Sequence, residues 1–510
     1  MLHRTLTKRR ELVVFVAIVL TAIFFRFYQL NSFPPGLYPD EAMNGNNALE
    51  ALSTGNFKVF YPENNGREGL FINIQALSVE VFGNHPWSLR LVSAVMGILT
   101  VIGLYLLTKE MFEWRIAAVS GFLMAISFWH VNFSRIGFRA IMLPFVLVFG
   151  FYFFWKGIKN LRLSDFIPAG IFFGLGFHTY IPYRVAPLIV LILSLVYWWN
   201  VRKDIALSKY NEVKTKFFKG FAVMIISAII ITLPIGLYLA ANPEQFNSRS
   251  GQALSVFSQD NPLQELVLST VKTLGMFTFT GDFNQRHNIA GQPMLPWPIG
   301  IFFIMGIFHE IIHWFKRKHG HFSTTHTFIL SWFFVMLLAG FLSTEAPHAL
   351  RAIGAIPVVM ILTAKGLWWS FEKIKILYTQ AYPYKTRYEL HTFIGAVMIL
   401  FVVSFGFLEF NRYFKVWGPD QETAGAFNKN YTKVAEKVNA MPNQIKKYIL
   451  VNAEGTLVNG VPMPSQTVMF LTDTYTAEKQ KAKNIFYLTL EQYRSGQYDK
   501  GGIVIPLENK

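Results

Sequence analysis

The stretch LVVFVAIVLTAIFFRFYQ, residues 12–29, is an apolar run of the length that a helix needs to cross a bilayer. Four basic residues, Arg4, Lys8, Arg9 and Arg10, precede it, and no small-residue cleavage site follows. We therefore expect a retained membrane anchor with a cytoplasmic N-terminus, rather than a removable signal peptide.

Further apolar runs follow along the rest of the chain. The composition agrees with this pattern, because 52% of the 510 residues are hydrophobic, including 50 Phe and 12 Trp. A soluble domain usually carries fewer apolar residues. We predict an all-α polytopic membrane protein with about 11 to 13 transmembrane helices. The predicted spans are residues 12–29, 89–108, 115–133, 138–155, 166–182, 185–200, 217–241, 297–315, 326–343, 352–371 and 391–409.

The basic residues between these runs predict the topology. When the spans are threaded alternately from a cytoplasmic N-terminus, Lys and Arg concentrate in the cytoplasmic segments, including Lys203–Lys219 and Lys316–Lys318. This asymmetry accounts for most of the net charge of +17, so no nucleic-acid partner is needed to explain it. We expect a multi-pass protein of the plasma (inner) membrane, surrounded by membrane lipids, with outside loops at 30–88 and 242–296.

One apolar stretch, Phe71–Phe82, is too short to span the bilayer. We expect it to lie in the interface or to re-enter the membrane. If it crossed, every later loop would change sides and the basic loops would lie outside, against the positive-inside rule.

The last hundred residues have the composition of a soluble domain. Alternating patterns predict a small extracytoplasmic α/β domain at 411–510, after a membrane domain at 1–410. The chain has no cysteine, so this domain has no disulfides. The predicted elements are helices at Tyr431–Met441 and around Thr467–Leu471, and strands at Lys447–Asn452, Asn484–Leu490 and Gly502–Pro506.

An acidic pair, Asp40 and Glu41, lies in the first outside loop within the sequence Tyr38-Pro39-Asp40-Glu41. Carboxylates so close to a bilayer are costly unless they face water, a partner or a substrate. A carboxylate so placed can accept a proton from a hydroxyl nucleophile. Asp40 also fits the role of N-cap for a surface helix over Ala42–Leu52.

Basic side chains on the outside face complement this acidic pair. A guanidinium binds phosphate oxygens bidentately and stays charged near lipid, so the combination indicates transfer from a lipid phosphate to a hydroxyl acceptor. Each arginine equally fits the role of an interfacial anchor, and histidines in loops are often merely solvated. The candidate substrate-binding residues are Arg67, Glu68, Arg135, Arg139, Arg184, Arg286, His287, His348 and Arg351.

The order of these motifs resembles the GT-C superfamily of membrane glycosyltransferases, and is similar to bacterial aminoarabinose transferases and protein O-mannosyltransferases. That family has an acidic pair in the first outside loop and then a basic stretch that leads into an interfacial helix. The matching features are Asp40–Glu41, Arg67-Glu68-Gly69-Leu70-Phe71, Val81-Phe82-Gly83, the helix start Ser88–Ala94, and Ser134-Arg135 through Pro144.

The resemblance implies inverting transfer of a sugar from a polyprenyl-phosphate-linked donor to a lipid, glycan or protein acceptor on the extracytoplasmic face. Asp40 is then the expected base, with Glu41 as a second catalytic residue. Many relatives carry another acid in the next outside loop, where this chain has Arg139-Ala140-Ile141. Either Glu41, Glu68 or Asp282 substitutes for it, or one acid suffices. The sequence assigns no cofactor, and it leaves a divalent metal and its ligands open.

Two other classes of protein compete with this interpretation. His309-Glu310-Ile311-Ile312-His313 has the H-E-x-x-H pattern of zinc proteases, in which His309 and His313 bind the metal and Glu310 is the base. No aspartate follows in the membrane region to act as third ligand. A lipid or glycan transporter is the other alternative, but the predicted spans are apolar through their middles, and transporters place polar groups there.

Overall fold

The computed structural model describes residues 2–204, 207–245, 255–316, 323–381 and 387–508. Each predicted span is found as a helix or as a pair of helices. Within the described residues, 7 helices are long and apolar enough to cross a membrane by length and composition, and further apolar helices are shorter. The helices are α1 (Leu2–Phe27), α2 (Pro39–Thr54), α3 (Gly69–Phe82), α4 (Pro86–Met111), α5 (Trp114–Ile126), α6 (Phe128–Phe133), α7 (Met142–Asn160), α8 (Leu163–Gly176), α9 (Pro187–Asp204), α10 (Leu207–Ala241), α11 (Pro262–Gly275), α12 (Ile299–Phe315), α13 (Thr324–Phe341), α14 (Ile356–Ala381), α15 (Arg387–Phe410), α16 (Gln421–Ala426), α17 (Lys429–Asn439), α18 (Ser465–Thr472), α19 (Ala477–Lys483) and α20 (Leu490–Arg494).

Short strands and helical turns connect these helices. The strands are β1 (Phe60–Tyr61), β2 (Arg67–Glu68), β3 (Lys447–Asn452), β4 (Leu457–Val458), β5 (Val461–Pro462), β6 (Ile485–Thr489) and β7 (Ile503–Glu508). The 3-10 turns are Arg139–Ile141, Ile181–Val185, Val256–Ser258 and Ile353–Ala355, and Asn411–Trp417 is a π-helical extension of α15.

The predicted span at 115–133 is not one continuous helix. It breaks at Ser127, whose φ of −51° and ψ of 122° are not helical, and α6 follows the break. The break leaves the backbone N–H of Phe128 without a helical partner, and the Glu409 carboxylate accepts it. A buried backbone donor needs such a partner, so α15 stabilises the break.

The segment predicted as the first outside loop contains the helix α2, which is buried rather than on the surface as predicted. Tyr38 is its N-cap, Pro39 is its first residue, and the Glu41 carboxylate accepts the Tyr38 N–H at 3.4 Å. Asp40 therefore lies inside the first turn and does not cap the helix. Its carboxylate instead accepts a hydrogen bond from Asn64 Nδ2 at 2.7 Å.

The segment predicted to be interfacial is the short apolar helix α3, 14 residues long. It follows an antiparallel pair of strands in which Phe60 faces Glu68 and Tyr61 faces Arg67. This hairpin fixes Arg67 and Glu68 immediately before α3. The segment predicted as the large outside loop, residues 242–296, contains α11. Residues 246–254, Arg317 and Lys318 lie outside the described residues.

The C-terminal region contains a three-stranded parallel sheet with strand order β6-β3-β7. All the predicted strands and helices of this region are found, with small shifts at their ends. Its own hydrophobic core begins at Tyr431, whereas Tyr413, Phe414 and Trp417 pack into the membrane-domain core.

The C-terminal region docks on the segment between α1 and α4 that was predicted as the first outside loop. Asn46 of α2 donates through Nδ2 to Gln466 Oε1 at 2.9 Å, and Thr467 donates to the Leu37 carbonyl at 3.0 Å. Phe470 packs into a small core shared with the first outside loop. The region therefore covers α2, which explains why that helix is buried.

Candidate active site

A polar cavity of about 230 Å³ lies between α2, the β1–β2 hairpin and the turn that precedes α7. Asp40 is the carboxylate in its lining, which also contains Arg67 and Arg139. The structure thus brings together three residues that the sequence singled out. The lining residues are Asp40, Asn44, Asn64, Asn65, Arg67, Phe138, Arg139, Ala140, Tyr180 and Leu350.

Asp40 is half-buried at the edge of this cavity. Its Oδ1 accepts one hydrogen bond, from Asn64 Nδ2 at 2.7 Å. Within the described residues no hydrogen bond is found to its Oδ2. A carboxylate oriented through one oxygen keeps the other available to accept a proton.

Arg67 is 2% exposed and all its nitrogens are engaged. Nη1 donates to Asn44 Oδ1 at 2.6 Å, Nη2 donates to Asn47 Oδ1, and Nε donates to the Glu63 carbonyl at 3.4 Å. Burial, followed by the nearby charge of Arg139, lowers the pKa of Arg67 to about 10, so it remains charged at neutral pH. Arg67 is thus a fixed positive charge in the cavity wall.

The two asparagines that hold Arg67 were missed by sequence reasoning. Asp40, Asn44 and Asn47 are separated by four and then three residues, which places them on one face of a helix. This polar spacing within an otherwise alanine-rich helix is the signal that would have identified them.

Arg139 pairs with Glu68 across the cavity wall, with 2.6 Å between Nε and Oε2. Its guanidinium carbon also lies 5.6 Å from the centre of the Tyr180 ring. Glu68 in turn lines a second cavity of about 520 Å³ together with Arg184. The Arg139–Glu68 pair therefore separates the polar cavity from the cavity that contains Arg184.

An apolar groove of about 620 Å³ between α8, α9 and α10 adjoins the Arg184 cavity. Phe177, Thr232 and Gly236 line both. The groove is lined almost entirely by aliphatic and aromatic side chains. Its polar end is therefore formed by Arg184 and Glu68.

Glu41 does not reach the polar cavity, although we predicted it to be catalytic. Its side chain is 0% exposed and pairs with Arg90, with Oε2 at 2.9 Å from Nε and Oε1 at 3.0 Å from Nη2. Oε2 also accepts the Gly137 N–H at 2.7 Å. This geometry positions α2 against α4 and the turn after α6.

The sequence signal for this pair is Arg90, which lies in a predicted apolar span. An arginine there requires an acidic partner.

Arg135, which we predicted to bind substrate, is also absent from the lining of this cavity. It is fully buried and donates to the carbonyls of Phe25 at 3.0 Å, Arg26 at 2.7 Å and Phe33 at 2.9 Å. The last carbonyls of a helix have no partners within the helix. Arg135 satisfies those of α1 and so is structural.

The remaining predicted residues lie on two loops beside the cavity. The guanidinium carbon of Arg286 is 4.2 Å from the centre of the Tyr38 ring, and Tyr38 comes two residues before Asp40. Arg351 pairs with Glu345. The preceding residue, Leu350, lines the cavity. Of the residues named on these two loops, Leu350 forms part of the cavity wall, and Arg286 contacts Tyr38.

The neighbouring histidines, His287 and His348, surround the carboxylate of Asp282. Asp282 Oδ2 accepts from His287 Nδ1 at 2.9 Å and from the Ala349 N–H at 2.8 Å, and His348 Nδ1 lies 3.9 Å away. Burial lowers the pKa of His287, and burial together with the His287 charge lowers the pKa of His348 to about 3.

The H-E-x-x-H motif does not form a protease site. Glu310 is 0% exposed, its Oε1 pairs with Lys365, and its Oε2 lies 2.6 Å from His326 Nδ1. The Nδ1 of His313 bonds to the His309 carbonyl at 2.7 Å. A general base must be free to take a proton, so a carboxylate in a buried ion pair contradicts the metalloprotease hypothesis.

The sequence of this chain is similar to those of known mannosyltransferases, in agreement with the order of its motifs. Residues 70–210 match the family model described as dolichyl-phosphate-mannose-protein mannosyltransferase. The mannosyltransferase-like protein YkcB of Bacillus subtilis (strain 168) is 25% identical over 210 residues, which is 39% of this chain and 28% of that relative. The match thus spans under a third of the length of that relative.

Comparisons of structure extend over nearly the whole chain. ArnT from Cupriavidus metallidurans in the apo state is 13% identical, with a TM-score of 0.58 over 98% of this chain and 93% of that one. The same protein bound to undecaprenyl phosphate gives a TM-score of 0.57 at 13% identity over 97% and 92%. The apo oligosaccharyltransferase of Archaeoglobus fulgidus gives 0.51 at 15% identity over 93% and 64%. This chain is therefore a polytopic membrane protein with the GT-C fold of membrane glycosyltransferases.

Proposed function

We propose that this protein is a membrane glycosyltransferase that moves a sugar from a polyprenyl-phosphate-linked donor to an acceptor hydroxyl. The acceptor is a lipid, a glycan or a protein, and transfer takes place on the extracytoplasmic face of the plasma membrane. The fold and the mannosyltransferase-like sequence support this class. The observation that carries the proposal is the cavity in which Asp40, Arg67 and Arg139 meet.

The apolar groove supports a prenyl chain as part of the donor. A groove between α8, α9 and α10 accepts an aliphatic chain by the hydrophobic effect, as ligand pockets with apolar walls do. Its polar end carries Arg184, and the Arg139–Glu68 pair lies between that end and Asp40. A lipid phosphate at Arg184 would therefore point its sugar toward the Asp40 cavity.

The reaction follows from this placement. Asp40 takes the proton of the acceptor hydroxyl as the hydroxyl oxygen attacks the anomeric carbon of the sugar. The bond from that carbon to the phosphate oxygen breaks, and the electron pair leaves with the polyprenyl phosphate. Arg184 and Arg139 stabilise the charge that develops on this leaving group. A single displacement of this kind inverts the anomeric configuration.

One acid is sufficient in this mechanism. The three candidates for a second acid already have partners, since Glu41 pairs with Arg90, Glu68 with Arg139, and Asp282 with His287. The phosphate needs no proton to leave, because a phosphate monoester anion is a good leaving group when it is bound by arginine. Glu41 is a positioning residue that holds α2.

The test is the Asp40→Asn variant, assayed in detergent or liposomes with radiolabelled polyprenyl phosphate sugars. General base catalysis typically contributes roughly 10²–10⁴-fold, so we expect kcat to fall by that factor while donor binding is retained. Asp499→Asn, on the exposed surface of the C-terminal region, is the matched control. Full activity of Asp40→Asn would refute the assignment of the base.

A further inference from the structure

We propose that Asp282, His287 and His348 bind one divalent transition-metal ion of the zinc class. The ion would join the large outside loop, which carries Asp282 and His287, to the loop before α14, which carries His348. This is a metal site separate from the proposed transfer chemistry at Asp40.

The spacing of the three side chains fits a shared ion. Asp282 Oδ2 lies 2.9 Å from His287 Nδ1 and 3.9 Å from His348 Nδ1, and the three ligand atoms all lie within 4.8 Å of one another. Two ligands that are each ~2.1 Å from a tetrahedral ion are ~3.4 Å apart. The two measured separations lie on either side of this value, so small side-chain shifts are enough to admit the ion.

The surroundings of His348 suit a metal ligand. Its Nδ1 accepts the Arg351 N–H at 3.4 Å, which puts the ring proton on Nε2, and the same Nδ1 lies 3.9 Å from Asp282 Oδ2. Glu345 Oε2 lies 3.9 Å from that Nε2. Metal-bound histidines usually donate from their second nitrogen to a carboxylate, and Glu345 would move closer to accept that proton. The long bond from Arg351 is weak and gives way to a metal bond.

Asp282 is held in place by its own loop. Its Oδ1 accepts the Asn284 N–H at 2.8 Å, and its backbone carbonyl accepts the Gly291 N–H at 3.0 Å. On binding, the ring proton of His287 is held at Nε2 instead of Nδ1, so that the Nδ1 lone pair can face the ion. The carboxylate is thus oriented before the ion arrives.

The chemical types of the three ligands indicate which metal ion the site would bind. Two imidazoles and one carboxylate favour zinc and its neighbours, whereas magnesium and calcium prefer oxygen ligands. The side chains of Asp282 and His287 are 5% exposed, while that of His348 is 17% exposed. Water therefore reaches the fourth coordination position from the His348 side.

The site would fix two loops against the cavity. Arg286, next to His287, lies over the Tyr38 ring, and Leu350, two residues after His348, lines the cavity. The ion is therefore assigned a structural role. Its presence is measured without any sugar transfer, so this proposal and the proposed function fail independently.

The experiment measures zinc in the full-length protein, purified in detergent with a histidine-free tag, loaded with ZnCl2 and desalted. We expect about one zinc per chain, and loss of that zinc in Asp282→Asn and His348→Gln. His85→Gln and His309→Gln are matched controls that should keep it, because His85 is an exposed loop histidine and His309 belongs to the H-E-x-x-H motif.

A thermal shift assay keeps the result interpretable if a variant is less stable. Zinc should raise the unfolding midpoint of the wild type, since a ligand that binds only the folded state stabilises it, and should leave that of His348→Gln unchanged. Three results would each overturn the proposal: no zinc in the wild type, zinc retained in both site variants, or zinc lost in His309→Gln instead.

Discussion

Replacing Glu41 with Gln tests whether this residue positions α2 or takes part in the chemistry. The change keeps the size of the side chain and removes its charge. It leaves the Arg90 guanidinium, which is 0% exposed, with the Pro34 carbonyl at 2.6 Å and the Gly36 carbonyl at 2.8 Å but without a counter-ion. We therefore expect lower stability as the primary effect.

The magnitude follows from the burial of the pair. Both partners are 0% exposed, and Glu41 accepts two hydrogen bonds from Arg90 and one from the Gly137 N–H. Breaking a buried ion pair by removing one partner costs about 3–5 kcal/mol. Gln keeps one acceptor oxygen, so we expect the free energy of unfolding to fall by about 3 kcal/mol, near the lower end of that range. This is about two powers of ten in the unfolding equilibrium.

The assay is a double-mutant cycle with Glu41→Gln, Arg90→Met and the double variant, followed by tryptophan fluorescence during unfolding in detergent. The double variant buries no unpaired charge. Its free energy of unfolding should therefore fall by less than the sum of the decreases in the two single variants. Lys446→Met, which removes a solvent-exposed pair with Asp499, should unfold close to the wild type.

Two results would contradict this reasoning. The first is a decrease in the free energy of unfolding of less than about 1 kcal/mol in both single variants. Solvent-exposed ion pairs contribute that much. The second is a Glu41→Gln protein of wild-type stability whose kcat for sugar transfer has collapsed. That combination would make Glu41 catalytic, as the sequence suggested.

Three further predictions address other parts of the structure. Arg67→Lys loses the fork that holds Asn44 and Asn47, so the free energy of unfolding should fall by about 1–3 kcal/mol in denaturant titrations, as expected when buried acceptors lose their donor, and an unchanged midpoint would argue against it. Ile229→Trp narrows the apolar groove and should raise KM for long-chain donors but not for short-chain analogues, and equal effects on both would exclude the groove as the prenyl site. Asn46→Ala leaves Gln466 without its partner and should lower the free energy of unfolding by about 1–3 kcal/mol in denaturant titrations, so an unchanged midpoint would mean that this contact does not hold the C-terminal region.

The locations of helices and strands were largely predictable because each depends on local patterns. An apolar run long enough to cross a bilayer becomes a helix whatever its neighbours, and the short apolar run within Lys447–Asn452 becomes a buried strand. The break at Ser127 was not predictable. It depends on Glu409, which lies 281 residues away in the chain and accepts the N–H that the break exposes.

The residues of the candidate site were likewise predictable only in part. Asp40, Arg67 and Arg139 were identified from residue type and position, and the structure places all three in one cavity. Glu41 and Arg135 have the same types and neighbouring positions, but they are buried against Arg90 and the end of α1. A charged side chain next to a membrane has the same sequence signature whether it faces a substrate or a buried partner.

By itself, the sequence determined that this protein is a polytopic membrane protein with an α/β C-terminal region and the motif order of the GT-C superfamily. Apolar length, charge asymmetry and residue order are properties of the chain alone. Only the tertiary structure decided which charged groups meet. Partners such as Glu41 with Arg90, or Asp282 with His348, lie far apart in the chain and are chosen by how the helices and loops pack.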